Sequence, residues 1–268
     1  LSNIPSAGLD VGNGEYQKAI YSIYALANLG YKNQIFLDLT ARNDWSSTLP
    51  IENRSYFYPS ASFSWVANET LKLPSYISLL KLRAGVAQVG NDTNPYQINP
   101  ILSTGRWGDL IYMQLPETLL SSNLKPEIAT SSEFGVDFNL YNNRLRFEGT
   151  YYDVVNKNQI LPVTTPHSSG YSSKLINAGK LQSKGWEFAI GGTPIRKSNG
   201  LVWDVNINFS NTKTRILELA PGIDYYEYWT DNSSGAMTWV GEEVGNLYSR
   251  GYARVKDENS PYYNWPIL

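Results

Sequence analysis

The sequence predicts an all-β fold, in which an antiparallel sheet of roughly nine strands forms a segment of a transmembrane β-barrel. Three observations predict this fold. Apolar and polar residues alternate with a period of two in several segments, and tight turns alternate with long loops along the chain. The third observation is the hairpin of residues 133–152, whose two faces have opposite character.

The first half of the chain contains four predicted strands, near residues 18–30, 34–42, 57–67 and 81–88. The second of these alternates most regularly, because Ile35, Leu37, Leu39 and Ala41 lie on one face. Side chains of a strand point alternately to opposite faces, so this pattern predicts a sheet with one apolar face.

The hairpin of residues 133–152 is the clearest element when it is read outward from Asn142-Asn143. A two-residue turn at this dipeptide places Tyr141 opposite Arg144 and pairs every position of the two arms. The apolar face then consists of Phe134–Tyr151, Val136–Gly149, Phe138–Phe147 and Leu140–Leu145. The other face consists of Glu133–Tyr152, Gly135–Thr150, Asp137–Glu148 and Asn139–Arg146. The two faces are therefore in register across both strands.

The remaining strands are expected near residues 144–158, 183–195, 201–210 and 246–254. The third of these alternates Trp203, Val205, Ile207 and Phe209 with Asp204, Asn206, Asn208 and Ser210. No segment reads convincingly as a long helix.

Tight turns are expected at Lys32-Asn33, Asn142-Asn143 and Asn199-Gly200. The first needs a bulge, because a strict two-residue turn would pair Asn28 with Leu37. The third would pair Ile190 with Phe209, Gly192 with Ile207 and Pro194 with Val205. Long loops are expected at about 43–56, 91–129, 159–182 and 216–245. Short turns on one rim and long loops on the other are typical of outer-membrane barrels.

The composition excludes several functional classes. The net charge of -2 gives no electrostatic support to nucleic-acid binding. The chain has no Cys, which excludes disulfides and thiol catalysis. It has one His, so the sequence gives almost no support to a His-based zinc site or catalytic triad. No apolar run approaches 18 residues, which excludes a transmembrane helix.

A soluble all-β glycan-binding or adhesion domain remains the alternative, because a sandwich also has one apolar and one polar face. The outward residues distinguish the two folds. A transmembrane barrel needs a continuous apolar band about 25 Å tall around its outside.

Several ordered segments match one known family. They are LTARNDWSSTLPIENRSYFYPSASFSW (39–65), LLKLRAGVAQVGN (79–91), SSNLKPEIATSSEFGVDFNLYNNRLRFEGTYYD (121–153), SSGYSSKLINAGKLQSKGWEFAI (168–190) and VGEEVGNLYSRGY (240–252). In these segments the chain resembles the SusC/RagA-type TonB-dependent transporters of the Bacteroidetes outer membrane.

The resemblance implies a transporter and not an enzyme, with a barrel of about 22 strands plugged by an N-terminal domain. It implies import of an oligosaccharide or a peptide across the outer membrane of a Gram-negative bacterium, without a cofactor. It also implies a SusD-like surface lipoprotein over the barrel mouth. Residues 1–268 would all belong to the barrel. The plug and the segment that contacts TonB would lie upstream of Leu1, since we read the chain as a piece of a longer polypeptide.

Aromatic residues in the two longest loops are the candidate substrate contacts. Flat aromatic faces suit sugar rings or peptide side chains, and they become ordered at low entropic cost. The alternatives are loop packing and an aromatic belt at the membrane interface. The candidates are Trp107, Tyr112, Tyr225, Tyr226, Trp229 and Trp239.

Other polar residues are weaker candidates for catalysis or metal binding. Asp137 and Glu148 face each other like a glycosidase pair, but a wet lumen and the diagonal Arg146 would screen them, and we assign no catalytic residue. His167 is interpreted as a loop residue. Residues 90–94 hold oxygen ligands at close spacing but lack the remaining ligands of a calcium loop, so no metal site is assigned.

Overall fold

The structure is a computed structural model that describes residues 15–108, 110–198, 200–231, 233–249 and 251–267. The only helices in these ranges are one α-helical turn, α1 (Ala67–Thr70), and a 3-10 turn at His167–Ser169. No helix among the described residues is long and apolar enough to span a membrane. The strands in chain order are β1 (Ile20–Tyr31), β2 (Ile35–Ser46), β3 (Ser55–Val66), β4 (Ile77–Asn91), β5 (Ser103–Trp107), β6 (Leu110–Gln114), β7 (Thr118–Leu119), β8 (Glu127–Leu140), β9 (Leu145–Thr164), β10 (Ser173–Arg196), β11 (Val202–Leu219), β12 (Tyr225–Thr230), β13 (Ser234–Trp239) and β14 (Leu247–Ser249).

One large sheet dominates the fold. Its eight long strands pair in the order β1-β2-β3-β4-β8-β9-β10-β11, and the short β7 joins β10. All pairs between the long strands are antiparallel. Within the described residues the sheet is open, with β1 and β11 at its edges. Two smaller units lie in the connections, the hairpin β5–β6 and the three-stranded sheet β12-β13-β14.

The register places apolar side chains on one face of the large sheet from edge to edge. We call this the apolar face. One line of directly paired residues crosses all eight strands as Tyr31, Ile35, Trp65, Leu82, Val136, Gly149, Phe188 and Phe209. A second line crosses as Leu29, Leu37, Phe63, Ala84, Phe134, Tyr151, Trp186 and Asn211. The sequence-based prediction of one apolar face is therefore confirmed along these two lines, in which Asn211 on the edge strand β11 is the one polar residue.

The opposite face of the sheet is polar, and we call it the polar face. Its central line pairs Lys81, Asp137, Glu148, Ala189 and Asn208 across the strands β4, β8, β9, β10 and β11. Such a face suits a water-filled interior, whereas the apolar face suits lipid.

The connections separate into two rims because consecutive strands run in opposite directions. Residues 32–34, 67–76, 141–144 and 197–201 connect strands at one end, the turn rim. Residues 47–54, 92–126, 165–172 and the chain after Leu219 lie at the other end, the loop rim. As predicted, the tight turns share the turn rim and the longest connection, residues 92–126, lies at the loop rim. Residues 67–76 at the turn rim nevertheless form a longer connection than residues 47–54 or 165–172 at the loop rim.

The hairpin around Asn142-Asn143 has the predicted register, with Phe138 opposite Phe147 and Asn139 opposite Arg146. Both Asn residues have the positive φ angles, 55° and 62°, that a tight hairpin turn of this kind requires. The first turn contains three residues instead of two, because Tyr31 pairs with Ile35. This extra residue corrects the register, as the predicted bulge would.

The predicted register of the third hairpin is wrong by two residues. Ile190 pairs with Ile207 and Gly192 with Val205, because the register shifts between Gly192 and Ile195. A shift of two keeps every side chain on its predicted face. Asn199, half of the predicted turn, lies outside the described residues.

Two of the predicted loops are much shorter than expected. The strands β2 and β3 reduce the loop 43–56 to residues 47–54, and β9 and β10 reduce the loop 159–182 to residues 165–172. The strand predicted near 246–254 is only the short β14 (Leu247–Ser249), and it lies outside the large sheet.

Candidate functional site

Two predicted site residues, Trp107 and Tyr112, share one face of the hairpin β5–β6. The register pairs Trp107 with Leu110 and Tyr112 with Gly105. The Tyr112 ring covers Gly105, because a Cβ built on Gly105 would lie 2.3 Å from Tyr112 Cζ. Trp107 is 82% exposed. The hairpin therefore presents two rings and an apolar Leu110 on one side, in the long connection at the loop rim.

The other four predicted site residues lie in the three-stranded sheet β12-β13-β14. Tyr225 pairs with Trp239, and their ring centroids are 4.8 Å apart. Tyr226 and Trp229 pair with Thr238 and Ala236 on the opposite side of the sheet. The structure thus brings Tyr225 and Trp239 into ring contact and separates them from the other two.

Tyr226 has an aromatic partner that the sequence analysis did not assign. Its ring packs edge-on against Tyr228, with centroids 5.0 Å apart. Burial, with the neighbouring Tyr228, raises the pKa of the Tyr226 phenol. The Tyr226 side is the inner side of this sheet, since Thr238 is fully buried and Ala236 nearly so.

The three-stranded sheet is fixed to the end of the large sheet by backbone hydrogen bonds. Gly241 N–H donates to Ile216 O at 2.7 Å, and Val244 N–H donates to Thr214 O at 2.8 Å. At its other end, Asp231 accepts hydrogen bonds from the backbone N–H groups of Ser233 and Ser234, both at 2.7 Å. These two bonds lower the pKa of the exposed Asp231 carboxyl. Hydrogen bonds therefore hold both ends of the three-stranded sheet that carries these aromatic side chains.

A buried polar cluster around Asp92 fixes the loop 47–54. The carboxylate of Asp92 accepts hydrogen bonds from Ser46 Oγ and from Thr48 Oγ1, the latter at 3.0 Å, and Lys18 Nζ lies 2.6 Å from its other oxygen. Burial alone would raise the pKa of Asp92, but the three donors outweigh it and hold the pKa below its usual value. Among residues 90–94, Asp92 is the carboxylate of this cluster, and no group of three or more His, Cys, Asp or Glu residues that could hold a metal ion is found in the described ranges.

A small apolar core lies beside this cluster. Leu49, Tyr56 and Leu124 are buried together. Asn53 Nδ2 donates to Leu124 O at 3.1 Å, which joins the loop 47–54 to the connection 92–126. The loop rim is therefore held by packing as well as by hydrogen bonds.

The predicted pair of carboxylates is present on the polar face, and Asp137 forms an ion pair with an arginine other than Arg146. Asp137 pairs with Glu148 across the strands, and Arg83 Nη2 lies 2.7 Å from Asp137 Oδ1. Arg146, the expected screening residue, lies 2.8 Å from Asp204 Oδ2 instead. Arg146 is therefore not the ion-pair partner of Asp137, because Asp204 approaches Arg146 from β11. Screening of the two carboxylates by a wet lumen and Arg146 stays a prediction. His167 lies in the exposed 3-10 turn of loop 165–172.

Aromatic residues mark both ends of the apolar band on the apolar face. Toward the turn rim they are Tyr31, Trp65 and Trp203. Toward the loop rim they are Tyr21, Trp45, Phe57, Tyr151 and Trp186. Aromatic girdles at the two water interfaces flank the apolar band of outer-membrane barrels. The continuous band and its two girdles are the feature that separates a barrel wall from a soluble sandwich.

Comparisons with known proteins agree with this architecture. Residues 2–264 match the family described as TonB dependent receptor-like, beta-barrel. TonB-dependent receptor P26 of Formosa agariphila is 31% identical over 234 residues, which cover 84% of this chain and 23% of that protein. TonB-dependent receptor SusC of Bacteroides thetaiotaomicron is 27% identical over 262 residues, which cover 91% of this chain and 26% of SusC.

A solved structure of the RagAB peptide transporter has the same fold. It superposes with a TM-score of 0.76 at 22% identity, covering 90% of this chain and 27% of that chain. The chain thus spans about a quarter of the length of the relatives that it matches. The match over nearly all residues, together with the antiparallel sheet and its two faces, shows that the chain belongs to the TonB-dependent receptor β-barrel family.

Proposed function

We propose that the full-length protein is an outer-membrane transporter that takes up oligosaccharides or peptides with energy supplied through TonB. One observation carries the proposal: the sheet has a continuous, girdled apolar face and a charged opposite face. Its longest connection, residues 92–126, lies at one rim, and the tight turns at residues 32–34 and 141–144 lie at the other. An apolar exterior, a wet interior and asymmetric rims are what a solute-conducting barrel wall requires.

The polar face would form the inner wall of the barrel. It carries paired charges, such as Arg83 with Asp137 and Arg146 with Asp204, which stay hydrated in a wet lumen. Glu148 lies beside the first pair, with Lys81 directly opposite Asp137 on β4. The Asp137 carboxylate forms an ion pair with Arg83, as a charge in the wall of a wet lumen would. We therefore assign these residues to the wall and no catalytic step to the chain.

The loop rim would face the cell exterior and receive the cargo. Short turns of outer-membrane barrels are periplasmic and longer loops extracellular. The β5–β6 hairpin and the β12-β13-β14 sheet lie on this rim, so their exposed rings would meet a solute or a partner there. A SusD-like lipoprotein is the partner that the SusC resemblance favours, and TonB would act through a region outside this chain.

Trp107 is the aromatic residue that we propose as the first substrate contact. Its ring is 82% exposed and shares one face of the hairpin β5–β6 with Tyr112, and an aromatic ring becomes ordered at a low cost in conformational entropy. Both sugar rings and peptide side chains stack on such a surface. Import of an oligosaccharide and import of a peptide are thus the two outcomes that an uptake experiment distinguishes.

The test is uptake of labelled oligosaccharides and of labelled peptides by cells with the full-length protein, in the presence and absence of TonB. Trp107→Ala should reduce uptake of the transported class. Met113→Ala is the matched control, because Met113 is 71% exposed on the opposite face of the same hairpin. Folded protein that transports neither class, or transports equally without TonB, would refute the proposed function.

A further inference from the structure

A basic hollow interrupts the outward surface just beyond the apolar band, on the side of the loop rim. Its volume is about 430 Å³. Its charged lining is Lys184 on β10 with Lys213 and Arg215 on β11, and its floor includes Tyr151 and Trp186. We call this hollow the basic groove.

The position of the basic groove follows from the strand register. Lys184 pairs with Lys213, and Trp186, two residues further along β10, pairs with Tyr151. Because side chains alternate, Lys184 and Trp186 point to the same face of the sheet. That face is the apolar face, so the groove opens toward the membrane side of the wall and not toward the lumen.

The level of the groove is the boundary between hydrocarbon and water. Below it toward the turn rim, β10 continues with the apolar-face residues Phe188 and Ile190, and β11 with Phe209 and Ile207. Tyr151 and Trp186 are in contact, with ring centroids 4.5 Å apart, at the girdle position. Cations immediately beyond an aromatic girdle stand at the depth of lipid headgroups.

The groove has one cation more than its carboxylates neutralise. Lys184 Nζ lies 3.2 Å from Asp153, while Glu243 alone serves both Lys213, at 3.1 Å, and Arg215, at 3.2 Å. All three cations remain about half exposed. Lys213 and Arg215 therefore keep N–H donors for a further oxygen ligand.

We propose that the basic groove binds the phosphate group of an anionic lipid in the leaflet that surrounds the loop rim. Lys213 and Arg215 donate to the phosphate oxygens, since a guanidinium and an ammonium together suit a phosphate. The acyl chains lie against Trp186, Phe188 and Ile190. The inference rests on the proposed placement of this barrel in the outer membrane.

A membrane lipid fits the groove better than free phosphate for a structural reason. The charged lining continues directly into the exposed apolar band, so one amphiphile satisfies both surfaces at once. Free phosphate would use the cations alone and would gain nothing from the Trp186 and Phe188 rings. The binding of a phosphorylated lipid should therefore exceed the binding of inorganic phosphate.

The experiment measures lipid binding to the purified full-length protein in detergent by native mass spectrometry. The probes are phosphorylated lipid A, its dephosphorylated form and inorganic phosphate as a competitor. Lys213→Gln with Arg215→Gln should weaken binding of phosphorylated lipid A by roughly fivefold per cation removed. Glu243→Gln should strengthen it, because that change releases both cations from their shared carboxylate.

Lys32→Gln is the matched control, since Lys32 lies over the Tyr31 ring, 5.1 Å from its centroid, at the opposite rim. It should leave lipid A binding unchanged. The groove assignment is overturned by equal binding of the two lipid A forms, by unchanged binding in the double variant, or by displacement of the lipid with equimolar inorganic phosphate. Heat-modifiable gel mobility verifies folding of each variant. Glu243→Gln is a second check, because it should strengthen lipid A binding and a misfolded protein would not bind more tightly.

The two proposals fail separately. A folded wild-type barrel that binds phosphorylated lipid A but imports no solute would refute the transport function and leave the groove intact. A barrel that imports solute but does not distinguish the two lipid A forms would refute the groove alone.

Discussion

The phenol of Tyr152 occupies the space that a side chain at position 185 would need. Tyr152 and Gly185 are directly paired across β9 and β10, and a Cβ built on Gly185 would lie 2.5 Å from Tyr152 Cζ. The same Cβ would lie 2.6 Å from the backbone oxygen of Asn211. Glycine at position 185 is thus required by a close approach from both neighbouring strands.

Two other long side chains on the polar face also lie over a paired glycine. Arg83 is paired with Gly135, and Arg146 with Gly191, where an added Cβ would lie within 3.0 Å of the guanidinium in each case. Each long polar side chain therefore lies over a glycine of the adjacent strand. This arrangement holds bulky groups against the wall and leaves space inside the barrel.

Gly185→Ala should destabilise the folded barrel by about 1–3 kcal/mol, because the new methyl group overlaps Tyr152 and a backbone carbonyl that cannot yield. Gly85→Ala is the control, since its Cβ would lie 3.8 Å from its nearest neighbours on the same polar face. The midpoint of the heat-modifiable gel shift of the full-length protein measures the difference. Equal midpoints for the two variants would contradict the role of the Tyr152–Gly185 contact.

Phe138→Arg should impair assembly more than Asn139→Arg. The two positions are adjacent on β8 and similarly exposed, but they point to the apolar and the polar face respectively. A charge on the lipid side near mid-membrane costs roughly 2–4 kcal/mol, whereas a charge in the lumen stays hydrated. The yield of heat-modifiable barrel in the membrane fraction is the measurement. Indistinguishable yields would show that the two faces are assigned wrongly.

The sequence predicts the faces of the sheet well because burial in lipid imposes a strict alternation. The hairpin at Asn142-Asn143 is predicted residue by residue, since its turn length fixes the register. The register near Asn199 is missed because a shift between Gly192 and Ile195 changes the pairing without changing the alternation of faces. A pattern of hydrophobicity does not reveal such a shift.

The lengths of β9 and β10 are underestimated for a related reason. The strand β10 continues from Trp186 back to Ser173, beyond the apolar band, where most of its residues are half-buried or buried and Leu175 packs against the small core of the loop rim. Backbone pairing with β9 persists there, but the side chains no longer alternate between apolar and polar. The sequence therefore reads as a loop where the structure has a strand.

The candidate site is predicted only in part. The aromatic residues are identified from their loops, but the contact of Tyr225 with Trp239 depends on the register of a small sheet that the sequence analysis treats as loop. The cluster around Asp92 is missed entirely. Its partners Ser46 and Lys18 are 46 and 74 positions away, and only the fold brings them together.

Asp92→Asn should loosen the loop 47–54 at neutral pH, because it removes the charge that pairs with Lys18 and holds two hydroxyl donors. Amide hydrogen exchange in this loop should accelerate. Glu52→Gln is the control, since it removes one negative charge from the exposed surface of the same loop. If both variants exchange alike, the Asp92 cluster does not stabilise the loop.

The same cluster sets a pH dependence for the loop. The folded pKa of Asp92 is lowered from its ordinary value, so its contribution to stability is present above that value and is lost as the pH falls through the folded pKa. Exchange in the loop 47–54 should therefore be unchanged between pH 7 and 5, after correction for intrinsic rates, and should increase only below about pH 4. An increase between pH 7 and 5 would contradict the assignment of this carboxylate.

The loop rim should be accessible from outside the cell and the turn rim only from the periplasm. The chain contains no Cys, so Ser168→Cys and Ser198→Cys introduce matched labelling sites in exposed connections at opposite rims. An odd number of strand crossings separates them, since β10 alone lies between loop 165–172 and turn 197–201. Short turns are periplasmic in outer-membrane barrels, so a membrane-impermeant maleimide should label Ser168→Cys in intact cells and Ser198→Cys only after permeabilisation. The reverse pattern would invert the barrel and move the aromatic hairpins away from external cargo, whereas labelling of both sites in intact cells would mean that the sheet does not span the membrane.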